Sequence, residues 1–226
     1  MANVFVNRKD AGQKLAQALT GIEVENGIVL ALPRGGVPVA YEVARTLELP
    51  LDVFVVRKLG VPGREEFAMG AIATGGIRVL NPDVVRLLKI PDAEIDKVAA
   101  REQQELERRE KEYRGKRPRP KLSGKTVIVV DDGLATGATM RAAIQALRKE
   151  NPARLVMAVP TAAKETCDQL RELADEAVCL STPRPFYAVG TWYEDFTQTT
   201  DQEVRDLLRE IESFHAGARE STQVNS

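Results

Sequence analysis

Histidine, cysteine and tryptophan are nearly absent from this 226-residue chain, which holds one, two and one of them. The single histidine, His215, excludes imidazole pairs and lies near the C-terminal segment, so acid–base work falls to carboxylates and amines. Cys167 and Cys179 are too few for a disulfide framework and lack metal-ligand spacing, which leads to the expectation of a reduced, cytoplasmic protein. Neither sign of charge is in excess: 32 Lys+Arg stand against 33 Asp+Glu, a formal net charge of −1. That balance excludes gripping nucleic acid or an anionic membrane by bulk charge. No run approaches the about eighteen apolar residues of a membrane span. The first eight residues contain no apolar core with a small-residue cleavage site.

What is present is an alternation of short apolar runs with helical patterns, the signature of a parallel sheet covered by helices. Residues 27–32 and 127–130 read as strands buried on both faces, and 51–56, 153–159 and 177–180 as their companions. Helices are expected over 10–20, 37–47, 137–148 and 163–173. Residues 58–77 hold Gly60, Gly63, Gly70, Gly75 and Gly76 with Pro62, which predicts a mobile loop leading into a short hairpin. Residues 92–114 form a charged helix with a thin apolar stripe at Ile95, Val98, Ala99 and Leu106. It reads first as a solvated helix, with bracing of a dimer or of the mobile loop as the alternative. A basic, proline-broken connector follows to residue 121. The expectation is one domain over 1–215, with a small hood at 181–200 and a disordered tail over 216–226.

Chemistry concentrates in residues 127–140. A buried strand ends in Asp131 and Asp132, then passes through a Gly/Thr loop into a helix. Ligands of open parallel sheets sit at the carboxyl ends of strands. Free amides of residues 136–139 at a helix N-terminus suit a phosphate, and Gly137 permits close approach. Two carboxylates cannot hold that same anion; they suit vicinal sugar hydroxyls or a metal bridging to them. Together the parts describe a site for a ribose 5-phosphate. A second strand end carries Arg34, Gly35 and Gly36 after Pro33, a cationic fork with exposed amides that suits pyrophosphate. A Gly-Gly turn with a surface arginine is the plainer account of that segment taken alone. Residues 123–126, Ser-Gly-Lys-Thr, are not a P-loop: Arg119 stands where its first glycine belongs, and a strand follows instead of a helix.

Residues 127–140 resemble the PRPP-binding motif of the type I phosphoribosyltransferases, with Ala135-Thr136-Gly137 and Thr139-Met140 nearest the adenine-type branch. The resemblance implies that Asp131 and Asp132 hold the ribose hydroxyls of 5-phosphoribosyl 1-diphosphate (PRPP), and that Ala135, Thr136, Gly137, Ala138 and Thr139 hold its 5-phosphate. Residues 32–38 are similar to the family's pyrophosphate loop, often built on a cis peptide. Residues 56–72, with Arg57 and Lys58 at a strand end, resemble its flexible catalytic loop. Lys58 and Arg34 would neutralise the departing pyrophosphate, with Mg²⁺ bridging it to the ribose and Asp131 and Asp132 as the metal's carboxylates. Glu66 is the candidate base or substrate-orienting carboxylate, with Glu65 second; a solvated loop acid is the alternative reading. Residues 182–196 gather five aromatics. They suit either stacking on a heterocycle or capping a small core, and they resemble the family's hood, in which Tyr187, beside Phe186, stands nearest the base-covering place and Trp192 is a further possibility.

Ala135 occupies the position where 6-oxopurine members carry an aspartate, which argues against hypoxanthine-guanine specificity. The 58–70 loop lacks the tyrosine of many adenine enzymes, and the 92–114 helix is an insertion relative to compact members. The whole set of segments resembles phosphoribosyltransferases whose acceptor is unsettled. The expectation is therefore an α/β protein with a mainly parallel five-stranded sheet, in which Mg²⁺-dependent phosphoribosyl transfer from PRPP to a nitrogenous base, such as a purine, takes place. A homodimer is expected, with no nucleic-acid or membrane partner. A non-catalytic PRPP sensor and a phosphosugar hydrolase are the rival functions.

Overall fold

The computed structural model describes the backbone of residues 4–224 and the side chains of residues 4–216. Five strands, β1 (Gly27–Ala31), β2 (Leu51–Val53), β6 (Thr126–Val130), β7 (Arg154–Thr161) and β8 (Glu176–Ser181), pair in the order β2-β1-β6-β7-β8. Every pairing is parallel. Between them lie β3 (Val56–Val61), β4 (Arg64–Ala73) and β5 (Ile77–Leu80), a separate antiparallel sheet in that order. The helices are α1 (Arg8–Leu19), α2 (Gly36–Thr46), α3 (Pro82–Leu87), α4 (Asp92–Arg114), α5 (Ala138–Arg148), α6 (Lys164–Arg171) and α7 (Asp201–Val224).

Side-chain alternation along the strands divides the core. Val29, Ala31, Ile128, Val130, Val156 and Ala158 meet α1, α2 and α7 on one face. Ile28, Leu30, Val127, Val129, Leu155 and Met157 meet α5 and α6 on the other. Both faces being covered, the strands read as unbroken apolar runs rather than alternating ones. From β1 the chain moves one way to β2, and from β6 the other way to β7. Strands β1 and β6 are neighbours, so their carboxyl ends border the crevice where strand order reverses.

Several expectations are corrected. The apolar run 51–56 is not one strand: it leaves the parallel sheet at Phe54, whose N–H donates to Ala31 O (2.9 Å), and re-forms as β3. The segment read as a mobile loop is mostly regular sheet, β3 and β4 joined at Pro62-Gly63. Its glycines serve close packing: a Cβ on Gly70 would stand 2.3 Å from Val79 O across the β4–β5 pair. Helix α4 is not simply solvated. Its apolar stripe is buried, together with Glu102, Tyr113 and Arg114. Arg114 Nε reaches both carboxylate oxygens of Asp52 on β2 (3.0 and 2.8 Å), and Nη2 donates to Val53 O (2.7 Å). Lastly, helical backbone runs through Val224, into the segment read as a disordered tail; residues 225–226 lie outside the described residues.

Helix α7 had a legible start. Thr200 and Glu203 exchange the bonds of a capping box, Thr200 N–H to Glu203 Oε2 (2.7 Å) and Glu203 N–H to Thr200 Oγ1 (3.1 Å). Val204, Leu208 and Ile211, spaced for one helix face, are fully buried. At about 1.5–3 kcal/mol for each such side chain, that stripe suffices to dock the helix. Cys167 on α6 and Cys179 on β8 are joined by a disulfide, correcting the expectation of two reduced thiols. Helix α6 packs back over β8, which brings their Cα atoms to 6.7 Å, within disulfide reach. Among the described residues no helix is long and apolar enough to cross a membrane.

Candidate active site

The turn after β1 and the loop after β6 meet at the reversal point. The Pro33–Arg34 peptide is cis. The turn then lies against the acid pair so closely that side chains are excluded. A Cβ on Gly35 would stand 2.0 Å from Asp132 Oδ2, and one on Gly36 2.8 Å from Val130 O. At Gly36 the clash is with backbone, so the approach of two strand ends requires the glycine; at Gly35 it would displace the Asp132 and Arg8 side chains. Arg34 projects from this turn, its Nη1 3.7 Å from Asp201 Oδ2 at the start of α7.

Asp131 and Asp132 follow β6 directly. The Asp132 amide donates to Asp131 Oδ1 (2.9 Å). Burial, and then the neighbouring Asp132 charge, push the Asp131 carboxyl well up from its ordinary value. Burial also raises Asp132, opposed by the Arg8 guanidinium, whose Nε donates to Asp132 Oδ2 at 2.8 Å. The hydroxyl of Tyr193 donates to Asp132 O (2.6 Å), and burial with the Asp132 charge raises that phenol. Among the described residues no cluster of three or more His, Cys, Asp or Glu could hold a metal ion. Two adjacent carboxylates do fit a hard divalent cation that takes its other oxygens from substrate and water, the habit of Mg²⁺.

Past the acids, residues 135–139 form the turn that leads into α5. Gly137 adopts φ +68°, the left-handed region that favours glycine, and α5 begins at Ala138. The first helical bond runs from Arg141 N–H to Gly137 O (2.8 Å), leaving the amides before it without an intrahelical partner. Ala135, Thr136, Ala138 and Thr139 are exposed. The loop is braced from beneath by α6: Thr166 Oγ1 donates to Ala135 O (2.7 Å). A cleft of about 540 Å³ opens beside this loop, lined by Thr136, Ala138 and Thr139, by Arg141 on α5, and by Lys58 from β3.

The remaining candidates are placed as follows. Lys58 Nζ lies 3.5 Å from Glu66 Oε2, and the Glu66 side chain is fully exposed. Glu65 lies 3.8 Å from Arg101. Arg57 is not free: its Nε and Nη2 both donate to Glu102 Oε2 on α4 (3.0 and 2.7 Å). Tyr187 is 82% exposed. Trp192 stacks on Phe186 with centroids 6.1 Å apart, its Nε1 buried without a partner. His215 Nε2 lies 2.9 Å from Leu49 O, away from the acids. Sequence reasoning missed Arg8, Tyr193, Phe196 and Thr166. Tyr193 and Phe196 lay within the aromatic segment; nothing local marked Arg8 or Thr166.

An open parallel sheet with an acid pair, a helix-start loop and a glycine-rich turn at its reversal point places this chain among α/β proteins whose ligands sit at the carboxyl ends of the strands. The match to known proteins narrows that class. Residues 63–194 match the phosphoribosyl transferase domain family, and the chain belongs to it. It is 49% identical over 205 residues to "Putative phosphoribosyl transferase Rv0571c" of Mycobacterium tuberculosis, covering 91% of this chain and 46% of that protein. The chain thus spans about half the length of the curated relatives it matches. The crystal structure of TT1426 from Thermus thermophilus superposes with a TM-score of 0.83 at 45% identity, covering 92% of this chain and 98% of that one. A shorter similarity, 32% over 99 residues and 42% of this chain, links it to the "Bifunctional protein PyrR" of Brevibacillus brevis, 55% of which is covered.

Proposed function

We propose that the chain catalyses transfer of the 5-phosphoribosyl group of PRPP to a nitrogenous base with release of pyrophosphate. The observation that carries this reading is the convergence of acid pair, glycine turn and cradle at one sheet crevice, with Lys58 lining the cleft beside the cradle. In the reaction the bond from C1′ to the pyrophosphate oxygen breaks, a bond from C1′ to the base nitrogen forms, and the base loses a proton.

Each group has a task. The amides and hydroxyls of residues 135–139 take the 5-phosphate at the start of α5. Asp131 and Asp132 accept hydrogen bonds from the pentose hydroxyls. Arg34 and the Gly35 and Gly36 amides receive the pyrophosphate. Lys58 on the β3–β4 hairpin, 48% exposed and lining the cleft, adds positive charge to the leaving group, and Glu66 at its side would take the proton. Exclusion of water by that hairpin protects the oxocarbenium-like sugar. Asp131 and Asp132 would hold Mg²⁺, which supplies charge neutralisation at the pyrophosphate when bound. The acceptor is a nucleobase-like heterocycle, purine-like in size, taken by the aromatic loop that carries exposed Tyr187 and the Phe186–Trp192 stack.

The test is pyrophosphate release from PRPP with Mg²⁺ and a panel of nucleobases. Release that depends on one base supports the reading. Binding of PRPP without turnover on any base would make the protein a sensor. Base-independent release of ribose 5-phosphate would make it a hydrolase.

A further inference from the structure

Arg8 is the first residue of α1, yet its guanidinium is turned from the helix surface into the site and is 11% exposed. It makes three contacts of different kinds. Nε donates to Asp132 Oδ2 (2.8 Å), Nη1 donates to Thr197 O (2.7 Å), and Cζ lies 3.9 Å from the centre of the Phe196 ring. The neighbouring chain is stitched to the aromatic loop. Phe5 N–H donates to Trp192 O (2.9 Å), Glu194 N–H to Phe5 O (2.8 Å) and Asp195 N–H to Val6 O (2.9 Å). The rings of Phe5, Tyr193 and Phe196 follow one another at 5.5 and 5.0 Å. Residues 5–8 and 189–197 therefore form one plug over the acid pair. It grips Asp132 at both ends, Arg8 at the carboxylate and Tyr193 at the carbonyl.

We propose that Arg8 is a positioning residue that sets the Asp132 carboxylate for the pentose and couples it to the seating of the aromatic loop. The inference rests on the reading of Asp131 and Asp132 as the pentose site and assigns a new residue to it. A planar guanidinium can address a carboxylate, a carbonyl and a ring face at once. A lysine ammonium can supply the charge but not all three contacts. With no cation at position 8, the neighbouring Asp131 and Asp132 carboxylates lose the charge that offsets their repulsion, and Asp132 turns from the orientation its partner holds. Because Phe196 and Thr197 hold the other side of the guanidinium, disturbing the loop reaches the Asp132 carboxylate through Arg8, while Tyr193 reaches only the Asp132 backbone carbonyl.

The experiment measures PRPP affinity by calorimetry, with thermal melting and the emission of the sole tryptophan, Trp192, as companions. Arg8→Gln is expected to weaken PRPP about tenfold or more, the scale of a charge-assisted contact, and to abolish any change in Trp192 emission that PRPP causes in the wild type. Arg8→Lys recovers part of the affinity. Phe196→Leu alone weakens PRPP several-fold, and in the Arg8→Lys background it adds much less than it does alone. This comparison stands even where Arg8→Gln does not fold. Lower melting temperatures with unchanged PRPP affinity would reduce Arg8 to a structural role and overturn the proposal, as would additive losses in the double variant. Failure of the wild type itself to bind PRPP is a different result: it overturns the pentose reading beneath.

Discussion

Replacing Asp131 by asparagine should make the protein more stable and less able to bind its substrate. Burial and the adjacent Asp132 charge both oppose ionisation of Asp131 in the free protein. The hydrogen bond its carboxylate receives from the Asp132 amide, at 2.9 Å, can be received equally by an asparagine carbonyl. Ionising Asp131 thus works against folding, and an asparagine, which never carries that charge, should stabilise by about 1 kcal/mol, within the range common for stabilising substitutions. For a chain of this length that raises the melting temperature by about 2–4 °C. The same substitution removes a charge-assisted hydrogen bond to a pentose hydroxyl, about 1.5–3 kcal/mol, or about 10- to 150-fold in Kd for PRPP. Asp132→Asn supplies the contrast: it leaves the Arg8 guanidinium, 11% exposed, without its carboxylate, and should lower the melting temperature. Calorimetric melting at neutral pH without ligand, followed by PRPP titration, reads both effects. A melting temperature that falls in both variants, or an Asp131→Asn protein with undiminished affinity, would refute the reasoning.

Gly36→Ala should cost about 1–3 kcal/mol and impair pyrophosphate binding, because its Cβ would meet backbone at Val130 O (2.8 Å) and Asp131 Cα (3.0 Å); equilibrium denaturation and pyrophosphate inhibition check this. Thr166→Val keeps the side-chain shape while removing the hydroxyl donated to Ala135 O (2.7 Å), so PRPP affinity should fall several-fold while stability falls by no more than about 1.5 kcal/mol. Lys58→Ala should slow turnover more than it weakens PRPP binding, since in the proposed reaction its charge acts on the departing pyrophosphate; equal kcat in both proteins would remove it from the reaction. Arg114→Met strands Asp52, whose carboxyl burial already pushes up, and should destabilise by about 3–5 kcal/mol in denaturant titration.

Local pattern determined a good deal here. Unbroken apolar runs marked β1 and β6 as strands covered on both faces and β7 as their companion, and the order strand, two acids, Gly/Thr loop, helix located the start of α5 beside the acid pair. These features are legible because burial on two sides and a helix start each impose their residue types within a few positions. The glycines of 58–77 misled for the same reason: glycine marks both mobile loops and strands packed too closely for a Cβ, and the sequence does not say which. The α7 start, Thr200 with Glu203, follows the same local rule.

Tertiary structure alone decided the rest. That Arg57 is held by Glu102 while its neighbour Lys58 lines the cleft depends on which face of β3 meets α4. That Gly35 touches Asp132, nearly a hundred residues on, depends on β1 and β6 being neighbours in the sheet. That Arg8 serves the acid pair depends on α1 and the aromatic loop closing over the same crevice. Such partners are separated by tens to more than a hundred residues, and their pairing is set by strand order and helix packing. No local periodicity carries that information.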